Sequence, residues 1–129
     1  MLVVYKASCP TCQLVVPILE TLYRRSEGQL EVVAVSQDEE MQTSEFVHAR
    51  NLTMPVLMDH PGYKLSSSLG LTAVPMMVLL DGREIVSAQE GFDREDLRAA
   101  INGLARGKRM SWDPSSLMDD ESLPAFKPG

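Results

Sequence analysis

Leu2-Val3-Val4-Tyr5, then Lys6-Ala7-Ser8, then Cys9-Pro10-Thr11-Cys12, then the spaced apolar set Leu14, Val15, Ile18, Leu19 and Leu22: this is the stretch on which the fold turns. The first four residues are short, apolar and β-branched, which predicts a strand. The last five recur at three- and four-residue intervals, which predicts a helix with one buried face. The two cysteines fall where the loop becomes the helix. Gly28 ends the helix, and Leu30 to Val35 is a second apolar run of strand length, bounded by Ser36-Gln37-Asp38. A parallel βαβ unit follows.

The junction gives the cysteines their chemistry. Unpaired backbone N–H groups and the helix dipole favour an anion at a helix N-terminus, so a thiol placed there is favoured as thiolate. Cys9 takes that position, and Pro10 suits the first turn, where an N–H would have no partner. Residues i and i+3 of a helix hold their Cβ atoms about 5–6 Å apart, and a disulfide needs about 3.5–4.5 Å, so a small adjustment of one turn closes or opens the bond. Cys9 is thus the candidate attacking sulfur and Cys12 the resolving one. Structural stapling is a weak alternative, because a bond across so short a loop gains only about 2 kcal/mol in the chain-entropy model. Zinc would need two further ligands, and neither His48 nor His60 stands at ligand spacing. Met41, Met54, Met58, Met76 and Met77 fit core filling better than copper binding.

Outward from this unit, Asp38 is read as the N-cap of a helix carrying Met41, Phe46 and Val47, and Pro55-Val56-Leu57-Met58 as a short buried strand. His60-Pro61-Gly62 turns the chain, Tyr63 to Leu69 is a brief helix stopped by Gly70, and Leu71 to Val74 runs extended into Pro75. Met76 to Leu80, Asp81-Gly82 and Arg83 to Ala88 form a hairpin. Asp93 caps a last helix with Leu97, Ala100, Ile101 and Leu104 on one face. Residues 108–129 hold three prolines, four acidic residues and no sustained period. They are expected to be an extended or disordered tail that adds little to a domain spanning 1–107.

With 129 residues, 44% hydrophobic and 23% charged, the chain has the balance of one ordinary globular domain. Its net charge of −6 argues against nucleic acid as a partner. No apolar run reaches the roughly 18 residues of a membrane span, and the sequence reads as cytoplasmic, or as periplasmic or otherwise extracytoplasmic if a leader precedes Met1.

The order of these features resembles the thioredoxin-fold superfamily over about Leu2 to Leu104. Cys9-Pro10-Thr11-Cys12 opens the first helix, Pro17 lies inside it, Val74-Pro75 precedes a strand and Asp-Gly hairpin, and Gly91-Phe92 leads to a final amphipathic helix. The segment from Met41 to Met58 is similar to the insertion of the redoxin group, with its TlpA/ResA-like and AhpC/TSA-like members. The resemblance implies an α/β thioredoxin fold: a central mixed sheet flanked by helices, with an inserted helix-strand segment between the second strand and a cis-proline loop. It also implies that Pro75 is cis beside the cysteines and that the Val74 backbone pairs with an extended substrate strand, with Pro10 and Thr11 as further substrate contacts. Three positions depart from the pattern: Ser8 where tryptophan is usual, Val3 where a buried acid is usual, and Met76 where threonine commonly follows the proline.

The implied activity is thiol-disulfide exchange through Cys9 and Cys12 on protein or small-molecule disulfides and thiols. An upstream reductase would supply electrons, with no cofactor beyond the Cys9–Cys12 disulfide and no metal. A peroxiredoxin-type peroxidase and a non-enzymatic metal-carrier or docking module are the alternatives. The two residues between the cysteines help set a potential that spans on the order of 150 mV among such proteins, and Pro-Thr points to an intermediate value.

Overall fold

The computed structural model describes all 129 residues. β1 (Leu2–Tyr5) is the central strand, pairing in parallel with β2 (Val33–Ser36) on one side and antiparallel with β4 (Met76–Asp81) on the other. β3 (Val56–Met58) and β5 (Glu84–Glu90) complete a mixed five-stranded sheet in the order β3-β2-β1-β4-β5. Alternate β1 side chains serve two cores, as the two-residue period of a strand requires. Val3 and Tyr5 join the larger cluster with Val15, Leu19, Phe46, Phe92 and Ile101, whereas Val4 packs with Val35, Met76 and Val78. The larger cluster lies under α1 (Pro10–Arg25), α2 (Glu40–Ala49) and α4 (Arg94–Ala105). The smaller one is lined by Leu65 and Leu69 from α3 (Lys64–Ser68) and its C-cap. This is the thioredoxin fold, with the helix-strand segment α2–β3 inserted between β2 and the α3 helix that leads to the Pro75 loop.

Several local readings shift. β2 starts at Val33 rather than Leu30, although Leu30 and Val32 remain buried. β3 is an edge strand with Leu57 and Met58 exposed, because one side of it has no neighbour. The hairpin loop is Gly82-Arg83 rather than Asp81-Gly82: Asp81 pairs with Glu84, and only Gly82 takes positive φ, at +60°, as a first-position glycine in a two-residue turn can. Asp38 does not cap α2. Glu39 stands at that cap without a side-chain bond, and the Asp38 carboxylate instead accepts the Ala7 N–H at 2.7 Å. Asp93 does cap α4, accepting from the Glu95 and Asp96 amides at 3.0 Å each.

The segment 108–129 departs most from expectation. It is folded onto the domain, not extended or disordered. Asp113 caps a 3-10 helix, Pro114–Asp119, whose Met118 is fully buried in the main core beside α1 and α4. Arg98 of α4 donates to the Ser115 and Met118 carbonyls at 3.2 Å each and to Asp119 at 2.9 Å, so the ends of this short helix are satisfied from outside. Trp112 donates to the Arg25 carbonyl at 3.1 Å while the Arg25 guanidinium stacks 3.7 Å from its ring centre. Leu123 is buried, Arg94 bonds the Leu123 carbonyl, and β7 (Phe126–Lys127) pairs antiparallel with β6 (Phe92–Asp93). The boundary at 107 therefore does not separate two structural parts.

Candidate active site

The site forms at the C-terminal end of β1, where Lys6 to Ser8 must turn the chain into α1. Three bonds hold that loop: the Asp38 carboxylate on Ala7 N–H, the Gln13 amide on the Ala7 carbonyl at 2.9 Å, and Cys9 N–H on the Lys6 carbonyl at 3.2 Å. The loop is thereby fixed at once from the turn that follows β2 and from α1. Cys9 follows as the N-cap of α1 with extended backbone, φ −81° and ψ 119°, and Pro10 is the first helical residue. The Cys9 sulfur takes the place of the usual capping oxygen and accepts the Cys12 N–H at 3.2 Å. The same sulfur lies 3.4 Å from the Val74 carbonyl, to which its thiol donates.

Both thiols are free, but their surroundings differ. Cys9 is half-buried at the helix entrance, and Cys12, one turn in, has no exposed surface. Burial pushes the Cys12 thiol well above its ordinary range; the Lys6 backbone opposes this, while the adjacent Cys9 sulfur and the Asp38 carboxylate add to it. Cys12 is therefore held neutral while the pair is reduced. Lys6 is exposed.

The Val74–Pro75 peptide bond is cis, as is His60–Pro61, which nothing in the sequence marked out beyond a turn. Val74 and Pro75 come beside Cys9 because β4, which they precede, is hydrogen-bonded to β1. Of the two intervening residues, Pro10 is exposed, and Thr11 is buried with its hydroxyl donating to the Pro128 carbonyl at 2.5 Å. Pro128 was not among the residues the sequence singled out, since nothing near it in the chain carries chemistry. Asp38 was singled out for the wrong task. No group of three or more His, Cys, Asp or Glu side chains gathers as a metal site. Met54, Met76 and Met77 are buried in the core clusters, while Met41 and Met58 lie on the surface.

The Redoxin family model matches residues 1–101. The chain belongs to the Redoxin family. Solved structures place this redoxin among thioredoxin-like folds. It is similar to StoA from Bacillus subtilis, with 24% identity over 77% of this chain and 78% of that one and a TM-score of 0.64. It is also similar to a secreted Mycobacterium tuberculosis disulfide oxidoreductase homologous to E. coli DsbE, with 17% identity over 80% and 79% and a TM-score of 0.67. A third is M. tuberculosis DsbF, with 22% identity over 80% and 78% and a TM-score of 0.68. At these identities the likeness establishes the fold of the redoxin. No curated protein matches its sequence. No helix is long and apolar enough to cross a membrane.

Proposed function

We propose that this redoxin is a thiol-disulfide oxidoreductase that reduces or exchanges disulfides through Cys9 and Cys12. The observation that carries the reading is the pairing of a half-exposed sulfur at a helix N-cap, held by the Cys12 N–H at 3.2 Å, with a second, fully buried thiol one turn behind it.

In the reductive direction the Cys9 thiolate attacks a disulfide R–S–S–R′, forms Cys9–S–S–R and releases R′–S⁻. The Cys12 N–H stabilises the negative sulfur before attack, and its bond weakens as the charge moves into the new disulfide. Cys12 then gives up its proton to the departing thiolate and attacks the Cys9 sulfur. The Cys9–Cys12 disulfide forms and the second thiolate leaves. Two electrons pass from the protein dithiol to the substrate, and the protons of the two protein thiols end on the two product thiols. A dithiol reductant, the upstream reductase, restores the pair, so no bound cofactor enters the cycle. The high proton affinity of Cys12 in the reduced pair keeps it from competing with Cys9 for the incoming disulfide.

Replacing the resolving thiol tests this reading. Cys12→Ser should accumulate a stable mixed disulfide with a model protein disulfide, Cys9→Ser should accumulate none, and intact-mass analysis distinguishes the two. Equal trapping by both variants would overturn the assignment of roles.

A further inference from the structure

The surface next to the Cys9 sulfur is already occupied by the chain itself. Ala125 accepts the Arg94 N–H at 2.9 Å, Phe126 and Lys127 pair with Asp93 and Phe92, and the Pro128 carbonyl takes the Thr11 hydroxyl. The path passes so closely over Gly91 that a Cβ there would stand 2.9 Å from the Lys127 carbonyl oxygen and 3.0 Å from the Gly129 nitrogen. It ends against the residue that receives the Cys9 thiol: a Cβ on Gly129 would overlap the Val74 carbonyl oxygen and stand 3.1 Å from its carbon. Two glycines thus permit backbone-to-backbone approach where any other side chain would force the strands apart. None of these contacts is to Cys9, which stays half-exposed.

We propose that residues 126–129 act as an internal occupant of the polypeptide-binding surface beside Cys9, so that small disulfides reach the sulfur freely while a polypeptide disulfide must first displace the segment. The proposal rests on the oxidoreductase reading above and adds substrate selection to it. A polypeptide bonded to Cys9 must lay its neighbouring residues, about 3.3–3.6 Å each, across the surface on either side of the sulfur. On the Val74 side that surface is taken by Pro128 and Gly129. A disulfide of two short thiols has no such continuation. If the covered state holds nine molecules in ten, the apparent affinity for a polypeptide falls about tenfold.

The test compares turnover of insulin disulfides with that of glutathione disulfide in the full chain, in a chain ending at Ala125, and in Gly129→Val, whose added side chain cannot coexist with the Val74 carbonyl. The truncation leaves Met118 and Leu123 in place and removes an exposed Phe126, but it also removes the β7 pairing to β6 and the Pro128 acceptor of Thr11, so its circular dichroism is compared with that of the full chain. Both variants should raise kcat/KM for insulin about tenfold and leave glutathione disulfide within about twofold. An unchanged insulin-to-glutathione ratio in variants that keep the parental far-UV and near-UV circular dichroism would overturn the proposal while leaving the oxidoreductase reading intact. Absence of turnover on both substrates by the full chain would overturn both. A readout independent of turnover is amide exchange of the Cys12→Ser protein joined at Cys9 to a thiopyridyl-activated peptide: the β7 amides, Phe126 and Lys127, should lose protection, and retained protection would also overturn the proposal.

Discussion

Replacing Met118 by alanine should destabilise the whole domain, although the residue lies beyond the matched family region and far in sequence from the sheet. Met118 has no exposed surface and belongs to the main core cluster. The change removes three heavy atoms, a transfer loss of roughly 2.4 kcal/mol at about 0.8 kcal/mol per buried group. A cavity term adds to this because α1 and α4 hold the space open, and a total of about 3–4 kcal/mol lies within the range for buried Met→Ala changes. For 129 residues, each kcal/mol moves the melting temperature by about 3–5 °C. The expected fall is therefore on the order of 10–20 °C, read by circular dichroism with coincident near- and far-UV transitions. Urea unfolding should show a lower midpoint with unchanged m-value, the sign of lost stability in one cooperative unit. A fall of under about 3 °C, against that expectation, or a separate early transition confined to Trp112 fluorescence, would show that residues 108–129 are an appendage and not part of the core.

Two further outcomes follow from titratable groups. Burial alone would raise the Glu20 carboxyl, yet the Thr53 hydroxyl, the Met54 and Thr53 amides and Arg24 outweigh it and hold the carboxyl below its usual range. A folded-state value below the unfolded one contributes stability that is present above the ordinary glutamate range and lost as pH falls through the folded value. Glu20→Gln should cost about 2 kcal/mol at neutral pH, and the gap in urea midpoint should close on acidification below about pH 4; a gap constant with pH would contradict the role of the charge. Limiting alkylation of the reduced protein at pH 7 to 8 should label Cys9 and spare Cys12, whose thiol is buried and held neutral. Peptide mapping reads the result, and preferential labelling of Cys12 would reverse the two roles.

The features that were legible in the sequence are those whose cause is local. Cys9 and Cys12 sit three residues apart at a loop-to-helix junction, and both the cap and the first turn follow from residues within that window. The α4 cap at Asp93 and the Val74-Pro75-strand order are of the same kind. What could not be read is what long-range partners decide. Asp38 has the chemistry of a cap, but the Ala7 amide, 31 positions away, claims its carboxylate. The segment 108–129 lacks a period because it forms only one short helix. Its apolar residues dock one at a time, with Arg98, Arg94 and Arg25 supplying the bonds. Asp113-Pro114-Ser115 and Asp120-Glu121-Ser122, whose carboxylates bond the serine amides at 3.0 and 2.9 Å, were the local signs that this stretch was ordered. They mark turns without saying what the turns pack against.

The most direct measurement of the central claim is a redox titration of the full chain in glutathione buffers, quenched with excess alkylating reagent in denaturant so that the buried Cys12 is labelled as well, and read by intact mass. The account predicts one two-electron transition, from a protein carrying two alkyl groups to one carrying none and closed by a Cys9–Cys12 disulfide, at a single midpoint potential. Two alkyl groups at every buffer ratio, or glutathione adducts on Cys9 that never resolve to the internal disulfide, would contradict it.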